Sequence, residues 1–299
     1  MAETMIKAGR KPRGILWVAG VRAFMDALFP TRCFACGAFF HPSDDADAGS
    51  DGDDAAPGPG STIKPLVFSQ ALARRVCASC AADFRPVEPP LCTRCGLMFR
   101  TREGPDHACG HCLAAPPRFA MARSFGVYDG VLLTLVHKFK YNGKIGLADP
   151  LGRLLFDEFR RHWQPGGIDV VAPVPLHIRR FRKRGYNQAH LLIRNWPRWA
   201  GEPGGGRREI VVAREILTRS RWTDPQVGKT REERVANIRG AFSVPRPDRI
   251  DGRRVLLVDD VVTTGSTADE CARVLLSAGA GRVDLLTLAQ TSLSRPRRV

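Results

Sequence analysis

The sequence contains no apolar run long enough to cross a membrane. Residues 15–29 come nearest, but they are too few and are broken by Arg22 and Asp26, whereas a helical span takes about 20 predominantly apolar residues. The same stretch makes no secretory signal, so the chain is expected in the cytoplasm with no transmembrane segment. Acidic residues are scarce as well. Against 46 Lys and Arg there are 30 Asp and Glu, a formal charge of +16, which points toward polyanionic partners. Charge alone does not choose among phosphorylated metabolites, nucleic acid and anionic lipid, and much of it is ordinary solvated surface. Cysteine almost vanishes beyond residue 112. Of nine cysteines only Cys271 lies there, and a lone thiol on a core helix reads as packing rather than chemistry.

What is present fits one α/β domain and a smaller module, within 299 residues that are 43% hydrophobic. Residues 1–30 read as a basic arm and a short amphipathic helix. Ile15, Val18, Val21, Phe24, Met25 and Leu28 recur at helical spacing and Pro30 ends the run. That helix either packs on the module that follows or lies on a membrane surface, which would make the chain peripheral at the inner membrane.

The other eight cysteines form four Cys-x-x-Cys pairs: Cys33/Cys36, Cys77/Cys80, Cys92/Cys95 and Cys109/Cys112. Each such turn presents two thiolates to one tetrahedral metal, and two turns close a four-thiolate site. In a reducing compartment the count argues for two structural zinc ions rather than disulfides. Gly follows the second Cys in the first and third pairs, as in the knuckle that opens a zinc ribbon. This phase suggests two ribbons in tandem over 31–113, and interleaved pairing satisfies the same count. His107 and His111 are left out because each site already has four thiolates. Residues 43–61, rich in Asp, Gly, Ala and Pro, read as a disordered acidic insertion in a ribbon loop. Residues 114–117 mark a domain boundary.

From 118 to 292 strands and helices alternate. Strands are expected at 122–128, 168–176, 210–213, 254–258 and 282–289, and helices at 131–139, 147–163, 189–200 and 268–278. Loops are expected at 177–188 and 218–239, a Gly-rich break at 201–206, and a basic tail at 293–299. The alternation implies a doubly wound parallel sheet with its ligand at the carboxyl ends of the strands.

One stretch stands out. Val255, Leu256, Leu257 and Val258 run into Asp259 and Asp260, then Val261, Val262, Thr263, Thr264, Gly265, Ser266 and Thr267. Strand, polar loop and helix aim backbone N–H groups at a phosphate, and the hydroxyls add donors. Two carboxylates beside an anion cradle suit a sugar phosphate, whose hydroxyls or magnesium-bound water they can accept. The segment resembles the phosphoribosyl-pyrophosphate (PRPP) signature of type I phosphoribosyltransferases. The cations of 179–184 have two readings: a solvated or nucleic-acid surface, or partners for a pyrophosphate at the same sheet edge. Arg182, Lys183 and Arg184 are the candidates for that contact. The loop 218–239, with Arg219, Arg221, Lys229 and Arg231, is expected to close over the substrate and exclude water, with Lys229 and Arg231 as its candidate contacts.

Taken with the basic turn 138–144, residues 173–176, 184–189, 223–226 and 234–242, the chain resembles the ComF family. These are competence-associated proteins with a double zinc ribbon before a phosphoribosyltransferase domain. The resemblance implies a type I phosphoribosyltransferase fold that binds PRPP with magnesium, and a link to DNA uptake with single-stranded DNA and the uptake machinery as partners. Two functions follow. One is transfer of the phosphoribosyl group to an acceptor with release of pyrophosphate. The other is a non-catalytic PRPP sensor that binds single-stranded DNA. No side chain stands out as a general base, and no stretch reads as a nucleobase-recognition hood.

Overall fold

The computed structural model describes residues 30–42, 63–101, 103–201, 210–223 and 230–291. The expectations for residues 1–29, the insertion 43–61, Lys229, the tail 293–299 and all but the first residue of 201–206 lie outside the described residues. The N-terminal module has two thiol-bearing parts. Strands β1 (Thr31–Arg32) and β2 (Phe39–Phe40) pair antiparallel around the first knuckle, and helices α1 (Ile63–Leu72) and α2 (Ala78–Ala82) follow. The second part closes with α3 (Gly110–Ala114).

Beyond the linker, β3 (Ala122–Val127), α4 (Gly130–Tyr141), α5 (Ala148–His162) and β4 (Val170–Pro173) come in turn. Next are α6 (Ile178–Arg184), α7 (Gln188–Ile193), α8 (Trp196–Ala200), β5 (Val211–Val212) and β6 (Thr218–Arg219). The last elements are α9 (Arg231–Ile238), β7 (Phe242–Ser243), β8 (Arg254–Val262), α10 (Ser266–Ser277) and β9 (Arg282–Gln290). Five strands form one sheet in the order β3-β9-β8-β4-β5, every pair parallel. This is the expected doubly wound class.

The sheet is buried on both faces, which is why its strands read as aliphatic runs without polar alternation. Successive side chains still part to opposite sides. Val171, Leu256, Val258, Leu286 and Leu288 share a core with α4, α5, α7 and α8. Val170, Ala172, Val255, Leu257, Val283 and Leu285 share the other with α10, Ile238 and Phe242. On α10 the buried Ala268, Cys271, Ala272 and Leu275 follow helical spacing. Cys271 is packing, as expected.

Four boundaries differ from the sequence reading. The expected loop 177–188 contains α6, capped where the His177 side chain accepts Arg179 N and ended at Gly185 (φ 81°). Arg and Lys are good helix formers, so a run that reads as loop by charge folds as helix between two stops. The helix expected at 189–200 is two short ones, with Pro197 near the start of the second. Within 218–239, β6 pairs antiparallel with β7, and α9 opens with a Thr230–Glu233 capping box. Finally, β8 runs past residue 258 to Val262, because β9 continues beside it in register: Asp259 with Thr287, Val262 with Gln290.

Candidate functional site

The extension of β8 decides the geometry of the two carboxylates. Since both lie inside the strand, they point to opposite faces. Asp259 lines an open cleft formed with residues 261–268, Leu285 and Thr287. Asp260 is buried on the other face, where its Oδ1 pairs with Lys140 Nζ at 2.8 Å. The two remain linked through the backbone, Asp260 N donating to Asp259 Oδ1 at 2.8 Å.

The cleft's rim is the phosphate-loop candidate. Gly265 has φ 77°, a conformation in which an L side chain is strained, and it turns the chain from strand into α10. Thr264 and Ser266 join hydroxyl to hydroxyl at 2.8 Å, which orders the turn before any ligand arrives. Beneath it, Thr287 bonds Ser124 at 2.7 Å. From the linker, Arg118 grips Asp269 in the first turn of α10 through its N–H (2.6 Å) and guanidinium (3.0 Å).

Burial, then the charge of Asp260, pushes Asp259 up to about 7, against the pull of Lys140 and Arg219. A buried carboxylate next to another gains protons unless cations offset the pair. Lys140 does this from the far face. Burial disfavours its charge, but Asp260 and then Asp259 outweigh burial and its pKa ends above the usual value. Arg219 approaches from β6. Its Nε is buried without a hydrogen-bond acceptor among the described residues, while its guanidinium donates to Thr223 Oγ1. Burial first, then Arg180, brings it down to about 10. The Arg219 guanidinium also lies over the Phe242 ring, 5.4 Å from the centroid, and Arg219 is not among the cleft's walls.

The described cations expected at the pyrophosphate and for closure are carried by α6 and α9. Arg182, Lys183 and Arg184 occupy the last turn of α6 and are not among the cleft's walls; Arg182 and Lys183 are exposed. Arg184 lies over the Tyr141 ring, 4.9 Å from its centroid. Arg231 begins α9, and Lys229 lies outside the described residues. Three other cations touch or act on the carboxylates and the turn: Lys140 pairs with Asp260, Arg219 bears on the charge of Asp259, and Arg234 Nη1 donates to Thr263 Oγ1 at 3.0 Å. The signal for Arg234 was its place in the 234–242 motif, and for Lys140 the basic turn. Arg219 was marked only as one of the cations of the expected closing loop 218–239.

The eight thiols gather in tandem sets and not interleaved ones: Cys33, Cys36, Cys77 and Cys80 in one, Cys92, Cys95, Cys109 and Cys112 in the other. Within each set the sulfurs lie within 4.8 Å of one another. Backbone N–H groups aim at the knuckle sulfurs, Ala35 N and Cys77 N on Cys33 at 3.4 Å, Cys109 N on Cys92 at 3.3 Å. Burial opposes the Cys33 and Cys92 thiolates, but these donors outweigh it and bring both down to about 6. Burial and neighbouring thiols push Cys80 and Cys95 the other way. Four soft sulfurs at this spacing fit zinc. Cys36 in the first set is exposed, whereas in the second set only Cys95 is more than slightly accessible.

Comparison with known proteins agrees with this architecture. Residues 208–298 match the family model described as a phosphoribosyl transferase domain. The "DNA utilization protein YhgH" of Escherichia coli is 33% identical over 219 residues, 72% of this chain and 90% of that protein. The "Competence protein F" of Haemophilus influenzae is 32% identical over 72% and 90% of the two chains. The "Competence protein ComFC" of Bacillus subtilis is 26% identical over 73% and 85%. With a parallel five-stranded sheet, a phosphoribosyl transferase domain and two four-cysteine clusters ahead of it, the chain belongs to the ComF family.

Proposed function

We propose that this protein binds PRPP with magnesium in the Asp259 cleft and transfers its phosphoribosyl group to an acceptor, releasing pyrophosphate, in the service of DNA uptake or use. The observation that carries this reading is a cleft lined by both a carboxylate and a hydroxyl-bearing turn at the end of the central strand. Residues 263–267 hold the 5-phosphate with backbone N–H groups and hydroxyls. Asp259 accepts hydrogen bonds from the ribose hydroxyls or from water on the metal, and Asp260, turned to the other face, supports it through the backbone bond to Asp259 Oδ1. Magnesium, when bound, neutralises the diphosphate. The bond from ribose C1 to the pyrophosphate oxygen breaks with its electron pair leaving on oxygen. The acceptor's lone pair closes on C1 through an oxocarbenium-like transition state. Arg219, with its unfilled Nε, and Arg234 are placed to take negative charge as it departs. Zinc in the thiolate sets supplies folding energy rather than chemistry. The working place is the cytoplasm; among the described residues no helix is long and apolar enough to cross a membrane.

The test is pyrophosphate release from PRPP and magnesium against pools of acceptors, comparing the wild type with the double variant Asp259→Asn, Asp260→Asn. Release abolished in the variant supports the enzyme. PRPP binding with no release from any pool sinks it and leaves the sensor.

One observation favours that second reading. Helix α6 presents exposed Ile178 and Phe181 among Arg179, Arg182 and Lys183. Beside it, Trp222 lies 5.6 Å from the Arg179 guanidinium and 5.3 Å from that of Arg180. Rings interleaved with cations are what single-stranded DNA stacks on. Binding that survives the double Asn substitution and falls steeply with salt supports it; salt-insensitive binding removes it.

A further inference from the structure

Helix α4 is held by the first thiolate cluster at both ends. At its start, Asp83, three residues after the ligand candidate Cys80, accepts Val131 N at 3.0 Å. The contact is close enough that a Cβ on Gly130 would meet Asp83 Oδ2 at 2.3 Å. At its end, Lys138 Nζ donates to the carbonyl of Ala35 at 2.9 Å, and Ala35 lies between Cys33 and Cys36. Lys144, just past the helix, sits 5.2 Å from the Phe34 ring of the same knuckle. Two residues on from Lys138, on the opposite side of the helix, Lys140 reaches Asp260 at 2.8 Å. Between them Phe139 is fully buried, and its carbonyl accepts the Tyr186 hydroxyl. The last turn of α4 is thus a short stiff bar, with the thiolate knuckle on one side and the carboxylate pair on the other.

We propose that Lys140 is a positioning residue for the carboxylate pair, and that the metal-loaded first cluster sets where Lys140 stands. The inference rests on the reading of Asp259 and Asp260 as the PRPP·Mg site, and on zinc as the occupant of the thiols. With zinc in place the Cys33–Cys36 knuckle is rigid, Ala35 fixes Lys138, and Lys140 meets Asp260. Without it the knuckle loosens against the last turn of α4, and the counter-charge that holds the buried Asp260 carboxylate shifts away. Because binding linkage is reciprocal, PRPP·Mg at the cleft must in turn tighten zinc at the first cluster. The second cluster contacts β3 instead, through Arg123 to the carbonyls of Cys92 and Thr93, and is not part of this bar.

Zinc occupancy can be read cysteine by cysteine in the full chain, by alkylation and mass spectrometry at graded chelator concentrations, with and without PRPP·Mg. PRPP affinity is measured by titration calorimetry on the same samples. In the wild type, PRPP·Mg should raise the chelator needed to expose Cys36 and Cys80 by about fivefold or more and leave Cys95 and Cys112 unchanged. Lys140→Met should weaken PRPP·Mg binding on the order of tenfold and erase the protection, and Lys140→Arg should restore most of both. Lys138→Met, which leaves the Lys140–Asp260 pair intact, should keep PRPP binding within about threefold but lose the protection. PRPP that binds normally with no protection of Cys36 and Cys80 overturns the inference while sparing the site. Equal protection of both clusters overturns it too, since that would be global tightening. Failure of the zinc-loaded wild type to bind PRPP at all overturns the site reading, and the inference falls with it.

Discussion

Replacing Asp259 by Asn should make the ligand-free protein more stable, by an amount that depends on pH in a defined way. Burial and the neighbouring Asp260 push Asp259 from 3.8 up to about 7. In the unfolded chain it ionises near its ordinary value. Between those limits the native state keeps a proton that the unfolded state has released, so native stability falls as pH rises, and the loss is complete above about 7. At about 1.4 kcal/mol per pH unit, the climb from pH 5.5 to 7 is worth roughly 2 kcal/mol. Relaxation and water entry reduce this to about 1 kcal/mol. The Asn variant has no such proton. Its stability advantage over the wild type should therefore grow by about 1–2 kcal/mol from pH 5.5 to 7 and level off above.

The groups whose charge reaches Asp259 are Asp260 and Lys140 from across the strand, with Arg219 and Cys271. Burial raises the Cys271 thiol well above its ordinary value, Lys140 is raised and Arg219 stays near 10, so these three titrate outside the window, and Asp260 is present in both proteins. The assay is urea unfolding of zinc-saturated wild type and variant at half-unit pH steps. A difference that stays flat, or shrinks as pH rises, refutes the claim that Asp259 is held partly protonated by its surroundings. The same variant should lose PRPP·Mg affinity, so that the carboxylate gives up stability for its ligand.

Three further outcomes are expected. Gly265→Ala should cost about 1–2 kcal/mol in urea unfolding and weaken PRPP binding. An added Cβ would touch Phe119 only at an ordinary 3.7 Å, so the loss is backbone strain alone, and an unchanged affinity would dismiss the turn as a phosphate cradle. Asp169→Asn removes a carboxylate held at about 2 by hydrogen bonds from Arg254. Its lowered value gives stability that is present above pH 4 and lost as pH falls toward 2. The partly exposed pair is worth under about 1 kcal/mol, so a larger loss at pH 7 would contradict the solvated geometry. Trp222→Ala should weaken single-stranded DNA binding by about 1–3 kcal/mol with PRPP affinity unaltered, and a gel-shift titration that shows no change removes this ring from the stacking surface.

The sheet and the Thr/Gly/Ser turn into α10 were legible because their determinants are local. Val255 to Val258 can be nothing but a strand buried on both sides, and Thr263 to Thr267 carries its own turn and helix start. The thiol pairs were legible for the same reason, since two-residue spacing is itself the chelating geometry. What escaped depends on distant partners. Asp260 turns from the cleft because β9, some 25 residues later in the chain, keeps β8 extended through it. Its pairing with Lys140 joins residues 120 positions apart, and no local pattern announces that. Helix α6 was hidden differently: its charge drew the eye while its stops, His177 and Gly185, went unread.

The first knuckle and the α/β domain share one interior. Cys33, Phe68, Leu72 and Phe84 lie in the same apolar mass as Phe125, Val136 and Leu155, with Phe84 stacked on Phe68 at 4.1 Å and on Phe125 at 5.1 Å. Severing the chain at residues 114–117 would therefore not yield two tidy fragments, for each would carry half of a torn interface. Whatever trims, transplants or reshuffles this gene has to move the sulfur-bearing head and the α/β body as one inheritance.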